Sequence, residues 1–247
     1  MTTKNEFAEL YEKYDLIPKS DSKNNDIQYL IKNINQYNAA EKPDAYLEFE
    51  NHVYAIEHFQ ISQYIRERKG DIAKIVKESQ NHREKMKVDQ DLDYKPSLKN
   101  LFKALDINLT NHSNSFDEYK RNICISKNFS EEAYRLVIFV EDATESEYIV
   151  KKGSTDIINP LILQEIADIF LKYQEEIWGI IYSYGNEVTK IVTGYTLEEL
   201  LVKKRQGKLL DSKDYVPFEC NRKVHVSKSS EDEDTNTVYI RLQDRFL

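Results

Sequence analysis

Two acidic side chains, Asp44 and Glu57, are the residues of this chain best placed to do chemistry. They stand thirteen positions apart, in a segment whose alternation of apolar and polar residues predicts a β-hairpin over residues 44–62. With Asn51-His52 as a two-residue loop, the two carboxylates become diagonal neighbours about 5–8 Å apart on one face. Carboxylates at that distance repel unless they share a proton or a divalent cation. The pair therefore predicts a site for Mg²⁺ or Mn²⁺, which can activate water for attack on a phosphodiester.

The same alternation assigns the two faces of the hairpin. In the predicted register Leu47 pairs with Ile56. A slip of one residue would expose the apolar set, so the assignment of faces is well specified. The face turned to the core is predicted to carry Ala45, Leu47, Phe49, Tyr54, Ile56 and His58.

Around these acids the segment resembles the PD-(D/E)XK nuclease superfamily, which includes restriction endonucleases and archaeal Holliday-junction resolvases. The resemblance is carried by Pro43-Asp44, by the spacing to Glu57, and by Ala55-Ile56 immediately before it. It implies a restriction-endonuclease-like core in which Asp44 and Glu57 bind Mg²⁺.

The resemblance also implies a third metal ligand and a lysine. The third ligand would be the backbone carbonyl of His58. The lysine of the family orients the attacking water and would stand two residues after the acid, where this chain has Phe59. Lys69 and Lys74 are the candidates to replace it as catalytic residues, and Gln60 is a further one if the register is shifted.

A basic stretch follows the hairpin. Residues 64–88 hold eight Lys or Arg against four acids, and such a stretch is typical of a phosphate-binding surface or of an ordinary solvated helix. The net charge of the chain is −8, which argues against broad non-specific coating of nucleic acid. The residues predicted to contact DNA are Arg66, Arg68, Lys69, Lys74 and Lys77.

The elements that must position these residues are helices and a few strands, since Gly and Pro are scarce. The patterns predict an α/β fold, with a mixed β-sheet flanked by helices. Residues 1–195 would form the nuclease-like core, with a helical insertion near 90–130, and residues 196–247 would add a C-terminal helix and short strands. The predicted helices are 5–15, 24–41, 70–87, 97–106, 115–124, 160–174 and 196–206; the further strands are 135–140, 177–183, 188–192, 223–227 and 237–242.

Composition favours a soluble, cytoplasmic protein with no membrane association. No run of about 18 apolar residues exists, and the first residues lack the apolar core of a signal peptide. The two cysteines, Cys124 and Cys220, are far apart in sequence, and both thiols are predicted to be buried apolar groups.

Ordinary structural roles stand beside these interpretations. Asp44 is equally suited to a turn after Pro43, Glu57 to a solvated or lysine-paired position, and His58 to a satisfied core position. Three functions therefore stay open. The first is a metal-dependent nuclease acting on DNA in bacterial defence or mobile-element biology. The second is a catalytically inactive descendant that binds nucleic acid or protein, with a homodimer also possible. The third is an acidic immunity or antitoxin-like protein that binds a basic partner.

Overall fold

A seven-stranded mixed β-sheet with helices on both faces organises the chain. The computed structural model describes residues 6–61, 97–142, 147–185 and 188–219. The strands are β1 (Asp15–Pro18), β2 (Asn38–Ala39), β3 (Ala45–Phe49), β4 (His52–Ile61), β5 (Tyr134–Asp142), β6 (Glu147–Lys151), β7 (Ile177–Gly185), β8 (Thr189–Thr196) and β9 (Tyr215–Glu219). The helices are α1 (Glu6–Lys13), α2 (Asn25–Lys32), α3 (Leu98–Ser113), α4 (Phe116–Lys127), α5 (Gln164–Leu171) and α6 (Leu197–Arg205).

The strands of the large sheet follow the order β1-β8-β7-β5-β4-β3-β2. Strands β4, β5 and β7 run parallel at its centre. The hairpins β3–β4 and β7–β8 add antiparallel pairs on either side, and β6 pairs with β9 in a separate ladder. The predicted α/β class with a mixed sheet is confirmed. Its basis is the near-continuous apolar run of β5, which suits a strand covered on both faces.

The sheet separates two hydrophobic cores. On one face α1 and α2 contribute Phe7, Ile27 and Leu30, which pack on the side of β4 that carries Tyr54 and Ile56. On the other face the helices that follow β4 pack. Helix α3 contributes a stripe of buried leucines at helical spacing: Leu98, Leu101, Leu105 and Leu109.

The predicted helix over residues 24–41 is wrong in its second half. Helix α2 ends at Lys32, where the Asn33 side chain donates to the carbonyl of Tyr29 at 2.7 Å. A 3₁₀ turn then directs Tyr37 into the core, where its hydroxyl donates to the carbonyl of Leu30 at 3.0 Å. The local hydrogen bond of an asparagine side chain competes with helix continuation, and the short strand β2 follows instead.

The hairpin β3–β4 forms, but its loop lies one residue earlier than predicted. Phe49 pairs with His52, so the loop is Glu50-Asn51, and Glu50 adopts a φ of +52°. Leu47 pairs with Tyr54 rather than Ile56. Moving the loop by one residue moves every partner by two, which keeps each side chain on its own face. The apolar pattern therefore groups the side chains by face correctly but cannot distinguish these two registers. It also does not predict that both faces of β4 are buried, with Ala55 and Phe59 in the second core.

Predictions for the cysteines, the remaining elements and the division of the chain have different outcomes. The thiol of Cys124 is half-buried, not buried as predicted. The predicted helix 70–87, the strands 223–227 and 237–242, and Cys220 lie outside the described residues. The division at residue 195 stays a prediction. Within the described ranges, no helix has the length and apolar character needed to cross a membrane.

The contact between α2 and the sheet depends on a glycine in β8. A Cβ atom built on Gly194 would lie 2.7 Å from the carbonyl oxygen of Ile180 and 3.1 Å from Cγ2 of Ile27. We expect Gly194→Ala to destabilise the fold by about 1–3 kcal/mol through overpacking, which lowers the Tm by several degrees. At Gly179 only the tip of the Ile27 side chain lies closer than 3.0 Å.

Gly179→Ala is therefore the matched control, and thermal unfolding measures both variants. A Gly194→Ala protein that melts at or above the temperature of Gly179→Ala would contradict this account of the α2 contact.

Candidate functional site

The hairpin brings Asp44 and Glu57 together. Asp44 immediately precedes β3, one step before the pair that Ala45 makes with Ile56, so it lies beside Glu57 on the neighbouring strand. Its Oδ2 accepts a hydrogen bond of 2.8 Å from the backbone N–H of His58. The Asp44 side chain is half-buried and Glu57 is 5% exposed. The predicted juxtaposition of the two acids is thus present, closer to direct opposition than to the diagonal arrangement expected.

Two helices supply donors to the Glu57 carboxylate. His112, in the last turn of α3, places Nδ1 2.6 Å from Oε1. Tyr119, in α4, donates its hydroxyl to the same oxygen at 2.7 Å. No partner for Glu57 Oε2 occurs within the part of the chain that the structure describes. Glu57 is therefore neither solvated nor paired with a lysine there; it is a buried carboxylate held by an imidazole and a phenol.

The pKa of the Tyr119 phenol is affected by both acids. Burial raises the pKa of Tyr119 most, and the hydrogen bond to Glu57 and the negative charges of Glu57 and Asp44 raise it further. A hydrogen bond with Ser115 opposes this increase of the pKa. Tyr119 therefore remains a protonated donor at neutral pH.

Position 59 is occupied by a buried ring that supports the histidine. Phe59 is 6% exposed, and its ring stacks on the His112 imidazole with centroids 5.4 Å apart and planes 24° from parallel. A side chain at 59 shares the face of Glu57, since the two positions differ by two. Phe59 thus lies on the Glu57 side of β4 and packs against the histidine that contacts that acid.

The remaining predicted site residues fall into two groups, those on the opposite face of β4 and those outside the described residues. His58 points to the opposite face, where its ring contacts Phe7 and Phe139. Gln60 points there too and donates to Glu141 at 2.7 Å, so it cannot replace a lysine beside Glu57. The predicted catalytic and DNA-binding residues Arg66, Arg68, Lys69, Lys74 and Lys77 lie outside the described residues.

A second polar cluster lies across β4 from the first. Glu141 of β5 is 2% exposed; its Oε2 accepts from Gln60 and lies 3.4 Å from Nε2 of His58. Burial raises the pKa of the Glu141 carboxyl, but the His58 hydrogen bond and charge, the charge of Lys190 and the Gln60 hydrogen bond outweigh it and lower the net pKa. Glu141 is thus an ionised, satisfied carboxylate inside the protein.

A cleft of about 710 Å³ opens between β3 and α4. Asp44 lies between two of its lining residues in sequence, Lys42 and Tyr46. The Lys127 ammonium donates to the Tyr46 hydroxyl at 2.6 Å and lies 4.1 Å from the centre of that ring. Arg121 is the third cation of the lining, and Lys42 is paired with Glu118 at 3.3 Å. The sequence analysis did not select these cationic residues, of which Lys42 lies two positions before Asp44 in the chain.

The candidate site offers two carboxylate ligands to a metal ion rather than a larger set of ligands. Among the described residues, no group of three or more His, Cys, Asp or Glu side chains is arranged to hold a metal ion. Mg²⁺ commonly takes one or two carboxylates and keeps several waters, so two acids suffice for that ion.

Comparisons with known proteins identify no relative of this chain. A scan against family models, a search of curated proteins and a search of solved structures each find no match to this chain. The resemblance to the PD-(D/E)XK superfamily therefore stays a prediction.

The sequence analysis missed His112 and Tyr119, although a signal for both exists. His112 continues the leucine stripe of α3, three residues after Leu109, so a polar residue occupies a position that should be buried. Tyr119 likewise follows Phe116 at helical spacing on the buried face of α4. A polar group on an apolar stripe needs a buried partner, and Glu57 was the available acid.

The Glu141 cluster leads to a pH-dependent stability. A carboxyl whose folded-state pKa is below its unfolded value of about 4.3 stabilises the fold above that pH, and this stabilisation is lost as the pH falls through the folded-state pKa. The groups that face it are His58, Gln60 and Lys190. We expect Glu141→Gln to lower the Tm most at pH 7, and the difference from wild type to shrink below about pH 4.

Glu131→Gln serves as the control, because Glu131 forms an exposed ion pair with Lys120 at 2.7 Å and such pairs contribute little. Thermal melts across this pH range measure the effect. A Tm difference for Glu141→Gln that stays constant from pH 7 to pH 3 would show that the carboxylate charge is not what stabilises the cluster.

Proposed function

We propose that this protein is a divalent-metal-dependent phosphodiesterase with a restriction-endonuclease-like core, acting on DNA. The observation that carries the proposal is the meeting of Asp44 and Glu57 on adjacent antiparallel strands, where both charges raise the pKa of Tyr119. The order of elements supports it as well, since the hairpin β3–β4 is followed by the parallel strand β5, as the resemblance implies.

The residues present fit a magnesium ion. Carboxylate oxygens are the ligands that this hard cation prefers, and Asp44 and Glu57 offer them from two paired strands. Glu57 Oε2 has no partner within the described ranges, while Oε1 is held by His112 and Tyr119. A backbone N–H and carbonyl of one strand residue face the same neighbouring strand, so the carbonyl of His58 lies toward Asp44, to which its N–H donates.

The side chains of the site are held in place before any substrate binds. The His58 N–H fixes Asp44, and His112 with Tyr119 fixes Glu57. When bound, a Mg²⁺ ion would polarise a phosphoryl oxygen and lower the pKa of a water. Fixed donors matter because a site that is about 1 Å out of position loses about a hundredfold in rate.

DNA is the substrate class that the adjoining cleft suits. Lys42, Arg121 and Lys127 line the cleft, and such cations bind phosphate oxygens without selecting a sequence. Tyr46 lines the same cleft, and the Lys127 ammonium lies over one face of its ring. The cleft therefore offers contacts to a nucleic-acid backbone, and two of its lining residues, Lys42 and Tyr46, flank Asp44 in sequence.

Metal binding can be measured without any reaction. We expect Mg²⁺ or Mn²⁺ at about a hundred times its Kd to stabilise the fold by about 2.7 kcal/mol, which is about 5–10 °C in Tm for a chain of this size. Asp44→Asn should abolish the rise, because it removes one of the two charges. Asp117→Asn, a change of an exposed acid at the start of α4, should keep it. An equal rise in Asp44→Asn and wild type would reject the assigned metal site.

Strand cleavage tests the activity itself. With Mn²⁺ present we expect nicking of supercoiled plasmid DNA by the wild type and by Asp117→Asn. Asp44→Asn and Glu57→Ala should both lose it, because each removes an acid of the pair. Nicking that survives in Glu57→Ala would reject the proposed mechanism.

A catalytically inactive DNA-binding protein of the same fold is the second candidate. Phe59 favours it, since a buried ring stands where the family carries its lysine. This candidate predicts that the wild type binds DNA, that Lys127→Ala and Arg121→Ala weaken binding, and that no metal produces cleavage. Gel-shift and nicking assays on the same preparation separate the two functions.

A further inference from the structure

His112 is bound to the acid pair by one ring nitrogen only. Its Nδ1 lies 2.6 Å from Oε1 of Glu57. A carboxylate oxygen accepts hydrogen bonds, so Nδ1 is the donor in this contact; in the neutral imidazole with its proton on Nδ1, Nε2 keeps a lone pair. No partner for Nε2 occurs among the residues that the structure describes. The imidazole thus presents a hydrogen-bond acceptor away from Glu57.

The orientation of this acceptor is fixed by two contacts. Stacking on Phe59 fixes the plane of the ring, and the bond to Glu57 fixes its rotation. The side chain of His112 is 28% exposed, whereas that of Glu57 is 7% exposed. The histidine is therefore the member of this pair that extends the buried acid toward solvent.

Holding Glu57 does not by itself require a histidine. Tyr119 already donates to the same carboxylate oxygen at 2.7 Å, so Oε1 would keep a donor without His112. An imidazole differs from other donors to Glu57 because it carries a second nitrogen at a fixed distance from the one that donates. A structural donor such as an asparagine amide would provide the bond to Glu57 but no acceptor in the place of Nε2.

We propose that His112 orients the attacking water through Nε2 and so replaces the lysine that the resembled family carries at position 59. The water donates a hydrogen bond to Nε2, which directs its oxygen lone pair toward the phosphorus. Phe59 has no polar group and contributes the surface on which the imidazole stacks. This inference rests on the phosphodiesterase function proposed above, and it makes His112 a catalytic residue supported by Glu57.

Kinetics of two variants test the role. His112→Asn keeps an amide donor for Glu57 and lacks the acceptor, so we expect kcat for DNA nicking to fall about a hundredfold while KM stays within twofold. Thr110→Ala, on the same turn of α3, is the control and should keep wild-type kcat. If wild type cleaves and His112→Asn keeps its kcat, the inference is overturned while the phosphodiesterase function stands.

A swap of the two groups tests replacement directly. Phe59→Lys combined with His112→Ala returns a lysine to the family's position, and we expect it to recover at least a tenth of the wild-type kcat where His112→Ala alone has lost it. Recovery would show that one group replaces the other. A double variant that melts like wild type and cleaves no faster than His112→Ala would count against the replacement.

The tautomer provides a readout that needs neither metal nor DNA. We expect ¹⁵N NMR of the metal-free protein to show His112 with Nδ1 protonated and Nε2 bare, its signals being assigned by their loss in His112→Asn. A proton on Nε2 would overturn the inference even in a protein that cleaves DNA. The expected tautomer in a protein without metal-dependent cleavage would instead reject the proposed function, and the water-orienting role with it.

Discussion

The hydrogen bonds to the buried carboxylate of Glu57 are the constraint on which the candidate site depends. A buried carboxylate that lacks partners costs several kcal/mol, so β4 can carry an acid inside the sheet only if other elements bring donors to it. Those donors come from α3 and α4, which lie 55 and 62 residues further along the chain. Because each hydrogen bond to a charged group contributes about 1.5–3 kcal/mol, they help determine where both helices lie on the sheet.

Strand β4 places one polar cluster on each of its faces. Glu57 and Phe59 point toward α3 and α4, while His58 and Gln60 point toward the other face. There Glu141 accepts a hydrogen bond from Gln60 and lies close to the His58 ring. The two clusters differ in exposure. Glu141 is 2% exposed and its charge is balanced within the protein. The first cluster reaches solvent through His112, whose side chain is 28% exposed. The proposed chemistry is therefore placed at the first cluster, and the proposed role of Glu141 is stabilisation.

The parts of the fold that the sequence predicts are those governed by local pattern. Alternation identified both hairpins and the faces of β3 and β4, and the apolar run identified β5. The strands β1, β6 and β9 were not predicted, because short half-exposed strands are formed by their partners rather than by their own pattern. The loop at Glu50-Asn51 was missed because a shift of two in register leaves both faces unchanged.

The sequence predicted the two acids of the candidate site but not the residues that donate hydrogen bonds to Glu57. Asp44 and Glu57 are close enough in sequence for a hairpin to relate them, whereas His112 is related to them only through tertiary packing, which no spacing rule describes. The presence of Phe59 can likewise be explained only once His112 and Tyr119 are known to contact Glu57. A lysine at that position would place an ammonium against the Glu57 carboxylate and compete with the imidazole for it. An apolar ring at 59 removes the competitor and provides a flat surface for the histidine, so Phe59 and His112 make physical sense as a pair and neither does so alone.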